Sequence, residues 1–119
     1  MLTGLRTIVY HVANLEVAKM WYSEMFDIKP YFDESFYVGF DINGFELGLD
    51  PSIKEYSKGN SSITYWKVDN IDQMFEQLIK RKVSIHEDVH GVGEGIRLGS
   101  INDPFGNVIG LIEIKEGER

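Results

Sequence analysis

The sequence predicts an α+β fold built from two consecutive β-α-β-β-β modules, on three observations. The chain repeats itself: Val12-Ala13-Asn14-Leu15-Glu16 returns 56 residues later as Val68-Asp69-Asn70-Ile71-Asp72. Each copy lies between a strand-like run and a run with apolar residues at helical spacing. Each helical run is then followed by short strand-like runs punctuated by turn residues, Asn43-Gly44 in the first half and Asp103-Pro104-Phe105-Gly106-Asn107 in the second.

Residues 5–12 are β-branched and aromatic enough for a strand. Asn14 is a good helix N-cap, and Leu15, Ala18, Tyr22, Met25 and Phe26 follow on one helical face, so the spacing predicts a helix over 15–27. Strands are expected at about 30–33, 36–42 and 45–50, the last two joined by the tight turn Asn43-Gly44. Residues 51–60 read as a connecting loop. The second half repeats the order. A strand is expected over 62–68, and Asn70 caps a helix with the stripe Ile71, Met74, Phe75, Leu78, Ile79 and with Gln73 at the capping-box position. Strands at about 83–87, 95–102 and 107–114 complete it. The modules are bounded at 1–56 and 57–119 within a single domain. Each is too small to bury its sheet well alone, so the two should pair their sheets or exchange them with a second chain.

Composition narrows the function classes. A chain of 119 residues with 43% hydrophobic and 26% charged residues is an ordinary globular domain. It has no cysteine, which rules out disulfides and thiolate zinc sites. A net charge of -7 disfavours nucleic acid, whose phosphates want a basic face, and is compatible with a cationic ligand. No run approaches the ~18 apolar residues of a membrane span. The N-terminus lacks a charged segment followed by an apolar run, so the expectation is a cytoplasmic protein without a signal peptide.

The order of elements, V-x-N-L-E and V-D-N-I-D opening the two helices, and D-P-F-G-N before the last strand together resemble the vicinal oxygen chelate superfamily. That group includes glyoxalase I, extradiol dioxygenases, thiol-transferring fosfomycin resistance proteins and bleomycin resistance proteins. The resemblance covers nearly the whole chain. It implies curved mixed sheets around a cavity. It also implies, in the metal-using members, four ligands, one each from the first and last strand of each half. Five residues before Val12 and Val68 stand Thr7 and Ile63, and the match of Leu47-Gly48-Leu49 with Ile109-Gly110-Leu111 puts the other two slots at Gly48 and Gly110. A divalent ion needs several nitrogen or oxygen donors converging on one point. Thr7, Gly48, Ile63 and Gly110 do not supply them, and a two-residue shift in the fourth strand would add only Glu46. The resemblance therefore implies the metal-free branch, with no metal and no cofactor, a small-molecule ligand and a homodimer. The alternative is a metal-dependent lyase or dioxygenase with shifted ligands drawn from His11, Glu46, His86, His90 and Glu113. A third reading is a small interaction or regulatory domain.

Strand alternation sorts the candidate pocket residues. Ile8, Tyr10 and Val12 should face the helix, and Thr7, Val9 and His11 the cavity. Thr64, Trp66 and Val68 should face the second helix, and Ile63, Tyr65 and Lys67 the cavity. His11 could hydrogen-bond a ligand or exchange a proton near neutral pH, or be a rim histidine bonded to backbone or water. Lys67 is either a ligand contact or a strand-end charge. Tyr10, Tyr37 and Tyr65 offer aromatic surface for a flat ligand, or packing. Arg97 could pair with a ligand carboxylate, or balance Glu94 or Asp103. Glu46 and Asp50 share a strand face with Gly48 and could select a cation, or solvate the strand end. Trp21 and Trp66 read as core or interface. His86-Glu87-Asp88-Val89-His90 matches the H-E-x-x-H pattern of zinc peptidases, but that chemistry needs a helix. Here Val83-Ser84-Ile85 precedes it and Gly91, Gly93 and Gly95 follow, so the expectation is a hairpin connection.

Overall fold

The computed structural model describes residues 1, 3–51 and 63–115. The chain divides into two compact units, Met1–Ser57 and Lys58–Arg119. The element order is the expected β-α-β-β-β, twice.

In the first unit, β1 (Thr7–His11), β2 (Phe32–Glu34), β3 (Tyr37–Ile42) and β4 (Phe45–Asp50) form a four-stranded mixed sheet in the order β1-β4-β3-β2. β1 and β4 run parallel, and the other pairs are antiparallel. Helix α1 (Leu15–Phe26) starts where predicted because the Asn14 side chain accepts a hydrogen bond from the Val17 amide at 3.1 Å. It stops at Asp27, which takes the left-handed conformation at φ 52°. Leu15, Ala18 and Tyr22 are buried from the helix, and Tyr10, Val38, Phe40, Leu47 and Leu49 from the sheet. Tyr22 is the hinge pin of this core, its ring 6.0 Å from that of Tyr10 and 6.5 Å from that of Phe40. One consequence is that Tyr10 is a core residue and offers no surface to a ligand. Asn43 and Gly44 both have positive φ (50° and 92°), the geometry that a two-residue hairpin between right-twisted strands needs.

The second unit repeats the plan. Its sheet is β5-β8-β7-β6, with β5 (Thr64–Lys67) parallel to β8 (Val108–Ile114), and β6 (Ser84–Gly93) and β7 (Ile96–Asn102) antiparallel. Helix α2 (Ile71–Lys80) is capped by Asn70, whose side chain accepts from the Gln73 amide at 3.0 Å. Ile71, Phe75 and Leu78 are buried as expected, but Ile79 is 56% exposed: the buried stripe is narrower than the apolar pattern. Phe75 packs where Gly99 lacks a side chain, since a Cβ there would lie 2.8 Å from its ring.

Two expectations need correcting or setting aside. The segment from His86 to Gly93 is not a connection. β6 continues through it to Gly93, with three register shifts along its pairing with β7, and the reversal falls at Glu94-Gly95. Such irregularities are tolerated because β6 is, among the described residues, an edge strand of its sheet. The expected loop at 51–60 and the start of the 62–68 strand fall mostly outside the described residues.

Candidate functional site

The register of the first sheet assembles a site on the face turned away from α1. Tyr10 opposes Leu49, and Leu49 opposes Val38, on the helix side. Alternation then places Thr7, Val9 and His11 of β1, Glu46, Gly48 and Asp50 of β4, and Tyr37, Gly39 and Asp41 of β3 on the open face. Phe32 and Glu34 of β2 continue it. Gly39 and Gly48 are direct cross-strand partners, so the middle of this face has a floor without side chains.

Two tyrosines lie on that floor. A Cβ at Gly39 would come within 3.3 Å of the Tyr31 ring, and one at Gly48 within 2.6 Å of Tyr37 Cζ. Both phenols reach the same carboxylate: the Tyr31 hydroxyl donates to Glu46 Oε1 and the Tyr37 hydroxyl to Glu46 Oε2. The Glu46 side chain is only 12% exposed. The hydrogen bond from Tyr31, then that from Tyr37, hold its carboxyl below the usual range, and the Arg6 guanidinium works in the same direction. The phenols respond in kind. The bond to Glu46 pushes the Tyr31 hydroxyl up, while burial and then the same carboxylate push up that of Tyr37. Near neutral pH the trio is therefore one carboxylate and two protonated phenols. A carboxylate whose pKa is lowered and whose oxygens are already bonded is a weak base but a firmly placed negative charge.

A pocket of about 290 Å³ opens beside it, lined by Arg6, Tyr31, Asp41, Gly44 and Glu46. Arg6 Nη1 donates to Thr7 Oγ1 at 2.7 Å and lies 3.9 Å from Glu46 Oε1. Aromatic surface adjoins the trio: the Phe32 ring centroid is 6.1 Å from that of Tyr37 and 6.0 Å from that of the exposed Phe36.

The second sheet carries a reduced version. Gly110 opposes Tyr65, and a Cβ there would lie 2.7 Å from Tyr65 Cε1 and 2.9 Å from the Thr64 carbonyl oxygen. The residue two before Gly110 is Val108, where the first half has Glu46 two before Gly48. No carboxylate is thereby supplied to the tyrosine.

The residues picked from the sequence are accordingly divided. Thr7, Tyr37, Glu46 and Gly48 come together on the first sheet, and His11 stands on the same face, opposite Asp50. Tyr65 and Gly110 meet on the second sheet, with Lys67 exposed at the end of β5 and Ile63 just before it. Arg97 is a correction. It lies on the helix side, opposite Glu113, and its guanidinium pairs with Asp72 of α2 at 2.7 Å, not with Glu94 or Asp103. Glu113 likewise serves α2, accepting from the Ile71 amide at 2.9 Å. His86 shares a hydrogen bond with the Ser100 hydroxyl, and His90 bonds the Asp88 carbonyl. Tyr31, Gly39, Arg6 and Asp41 are site residues the sequence reading did not single out.

The residues present do not fit a bound metal at the four positions that the resemblance implies. Gly48 and Gly110 bring no donor, and phenol rings fill the space a longer side chain would need. Ile63 has no donor either, and Thr7 Oγ1 already accepts from Arg6. Among the described residues no three histidine, aspartate or glutamate side chains converge so as to hold an ion.

No curated protein sequence matches the chain significantly. Solved structures match its fold over most or all of its length. One is the genomically encoded fosfomycin resistance protein from Listeria monocytogenes, with TM-score 0.81, 16% identity, and coverage of 100% of this chain and 99% of that one. Another is lactoylglutathione lyase from Agrobacterium tumefaciens, with TM-score 0.78, 15% identity, and coverage of 94% of each chain. A third is a glyoxalase-related enzyme from Fulvimarina pelagi, with TM-score 0.77, 19% identity, and coverage of 94% of this chain and 88% of that one. At these identities the likeness speaks for the fold alone. A family model matches residues 4–111, and on that match the chain belongs to the Glyoxalase/Bleomycin resistance protein/Dioxygenase superfamily.

Proposed function

We propose that this protein is a metal-independent binder of a small drug-like molecule, hydrophobic or cationic, held against the open face of its first sheet. The role is of the antibiotic or toxin sequestration kind, and in this reading the working unit is a cytoplasmic homodimer. The observation that carries it is the Glu46 carboxylate fixed by two phenols on a glycine floor. Three further carboxylates, Glu34, Asp41 and Asp50, share that face. Shape and aromatic contact from Tyr31, Phe32, Phe36 and Tyr37 supply affinity, and the carboxylates select charge. No covalent step is needed. The name of the Listeria relative speaks of antibiotic resistance without fixing how it is achieved, and that of the Agrobacterium relative, a lyase, belongs to the metal-using alternative. Against that alternative stand the donor-poor slots Thr7, Gly48, Ile63 and Gly110.

The test is a thermal-shift screen of metal-stripped protein against organic cations and neutral aromatics, run alongside a metal analysis of protein grown with iron, manganese, nickel and zinc available. The expected outcome is stabilisation by a subset of compounds without added metal, lost in Glu46→Gln. About one ion per chain surviving dialysis would reject the reading and return the lyase or dioxygenase alternative.

A further inference from the structure

The polar atoms of the Glu46 pocket are strongly biased in kind. Glu46 has spent one lone pair on each oxygen and keeps others, since an ionised carboxylate can accept about four hydrogen bonds. Each phenol donates its only hydrogen to Glu46, so what its oxygen offers the pocket is acceptance alone. Asp41, on the pocket wall, is a further acceptor, already engaged by the Gly44 amide at 3.0 Å. Among the described lining residues, Arg6 is the side chain with N–H donors to offer beyond the Tyr31 hydroxyl already committed to Glu46. Its guanidinium approaches Glu46 to 3.9 Å and bonds Thr7, yet its side chain is 77% exposed. A planar, donor-rich cation from the chain itself thus touches the acceptors loosely, on a tether that water can replace.

We propose that this pocket receives a planar cation bearing N–H donors, an amidinium or guanidinium group of the ligand, and that Arg6 is the resident group it displaces. This rests on the small-molecule reading above and narrows it. Charge alone would admit a quaternary ammonium as readily. An array of acceptors pinned in place rewards a cation that brings hydrogens to each of them, and leaves those acceptors unsatisfied under one that does not.

Three probes separate the possibilities: benzamidine, phenyltrimethylammonium with the same ring and charge but no N–H, and neutral benzamide. Calorimetric titration of the full metal-stripped chain should show benzamidine binding at least ten-fold tighter than phenyltrimethylammonium. Arg6→Ala should tighten benzamidine about two- to five-fold, the size of an exposed ion pair removed from competition. Because the Arg6 side chain is mostly exposed, this variant is expected to fold normally, which circular dichroism checks. Tyr31→Phe keeps the ring over Gly39 and should weaken benzamidine. Equal affinity for the two cations would overturn the proposal, as would an Arg6→Ala variant that binds no tighter. If benzamide or other neutral aromatics bind and neither cation does, this inference falls while the small-molecule reading stands. If no compound in the wider screen binds, both fall.

Discussion

The two halves of this chain share a scaffold and differ in what they do with it. In both, a glycine in the strand paired to the first strand, Gly48 or Gly110, lies under a tyrosine ring. In the first half that ring is Tyr37, from the antiparallel neighbour β3, and its hydroxyl ends on Glu46. In the second half it is Tyr65, from the parallel neighbour β5, directly opposite the glycine and with valine where the carboxylate would be. A glycine covered by an aromatic is a packing device for a sheet. The first half has turned the device into a polar site by adding one carboxylate, a second glycine and a second tyrosine. The second half keeps its polar investment in holding the fold: Arg97 to Asp72, Glu113 to the α2 amide, and Asp103 within the turn.

The largest test of that division lies in the turns. Asp103 is buried and accepts from the Phe105 amide, the Asn107 amide and the Asn107 side chain, at 2.8, 2.7 and 2.7 Å. Asp103→Ala should cost about 3 kcal/mol, since it strands buried donors. Asp41 makes the exposed counterpart contact to Gly44 and should cost about 0.5–1 kcal/mol when replaced. Urea denaturation of the two variants measures the contrast, and equal losses would erase it.

Substitution of the covered glycines comes next. In Gly110→Ala the new methyl meets both the Tyr65 ring and the Thr64 carbonyl oxygen, which cannot step aside, so a loss of about 2–3 kcal/mol is expected. In Gly48→Ala the three nearest atoms all belong to the Tyr37 side chain, which can swing away. The cost should be about 1–2 kcal/mol, roughly the loss of one hydrogen bond to a charged group. Thermal melts give the ranking, and ligand binding should suffer in Gly48→Ala alone.

The response to acid should also divide. The folded-state pKa of Glu46 lies below its ordinary value of 4.5, so its contribution to stability is present in full above that value. It is lost as pH falls through the lower, folded value. Glu46→Gln should therefore be less stable than the parent protein at neutral pH, with the gap closing on acidification. A gap that stays constant down to the acid transition would show that the carboxylate is not held as an anion by its phenols. The smallest contrast tests the repeat itself: Asn14→Ala and Asn70→Ala each remove one cap contact and should each cost about 1 kcal/mol, alike within a few tenths.

Much of this was readable in advance because it is written in short-range patterns. The helix caps, the Asn43-Gly44 hairpin and the inward stripe of Leu15, Ala18 and Tyr22 follow from local chemistry. A hairpin centred on Asn43-Gly44 pairs Gly39 with Gly48 and Asp41 with Glu46, so the glycine floor is implied by the turn. What lay beyond reach were contacts that depend on how far a side chain extends. Tyr31 precedes β2 and bends over Gly39, and Arg6 precedes β1 and folds toward Thr7, neither of which alternation expresses. Arg97 went astray for a related reason, since its partner Asp72 is on a helix whose distance from β7 no local pattern gives. The path of β6 through Gly91 to Gly93 shows the same limit, because pairing with β7 outweighs the turn preference of its glycines.

The most direct measurement is a backbone amide NMR titration of the metal-stripped protein with the strongest compound from the screen. The expected result is a shift pattern centred on Arg6, Gly39, Glu46 and Gly48, saturating without metal and absent in Glu46→Gln. A pattern centred on Tyr65 and Gly110 instead, or binding that appears only when a divalent ion is returned, would contradict the assignment of the site to the first sheet.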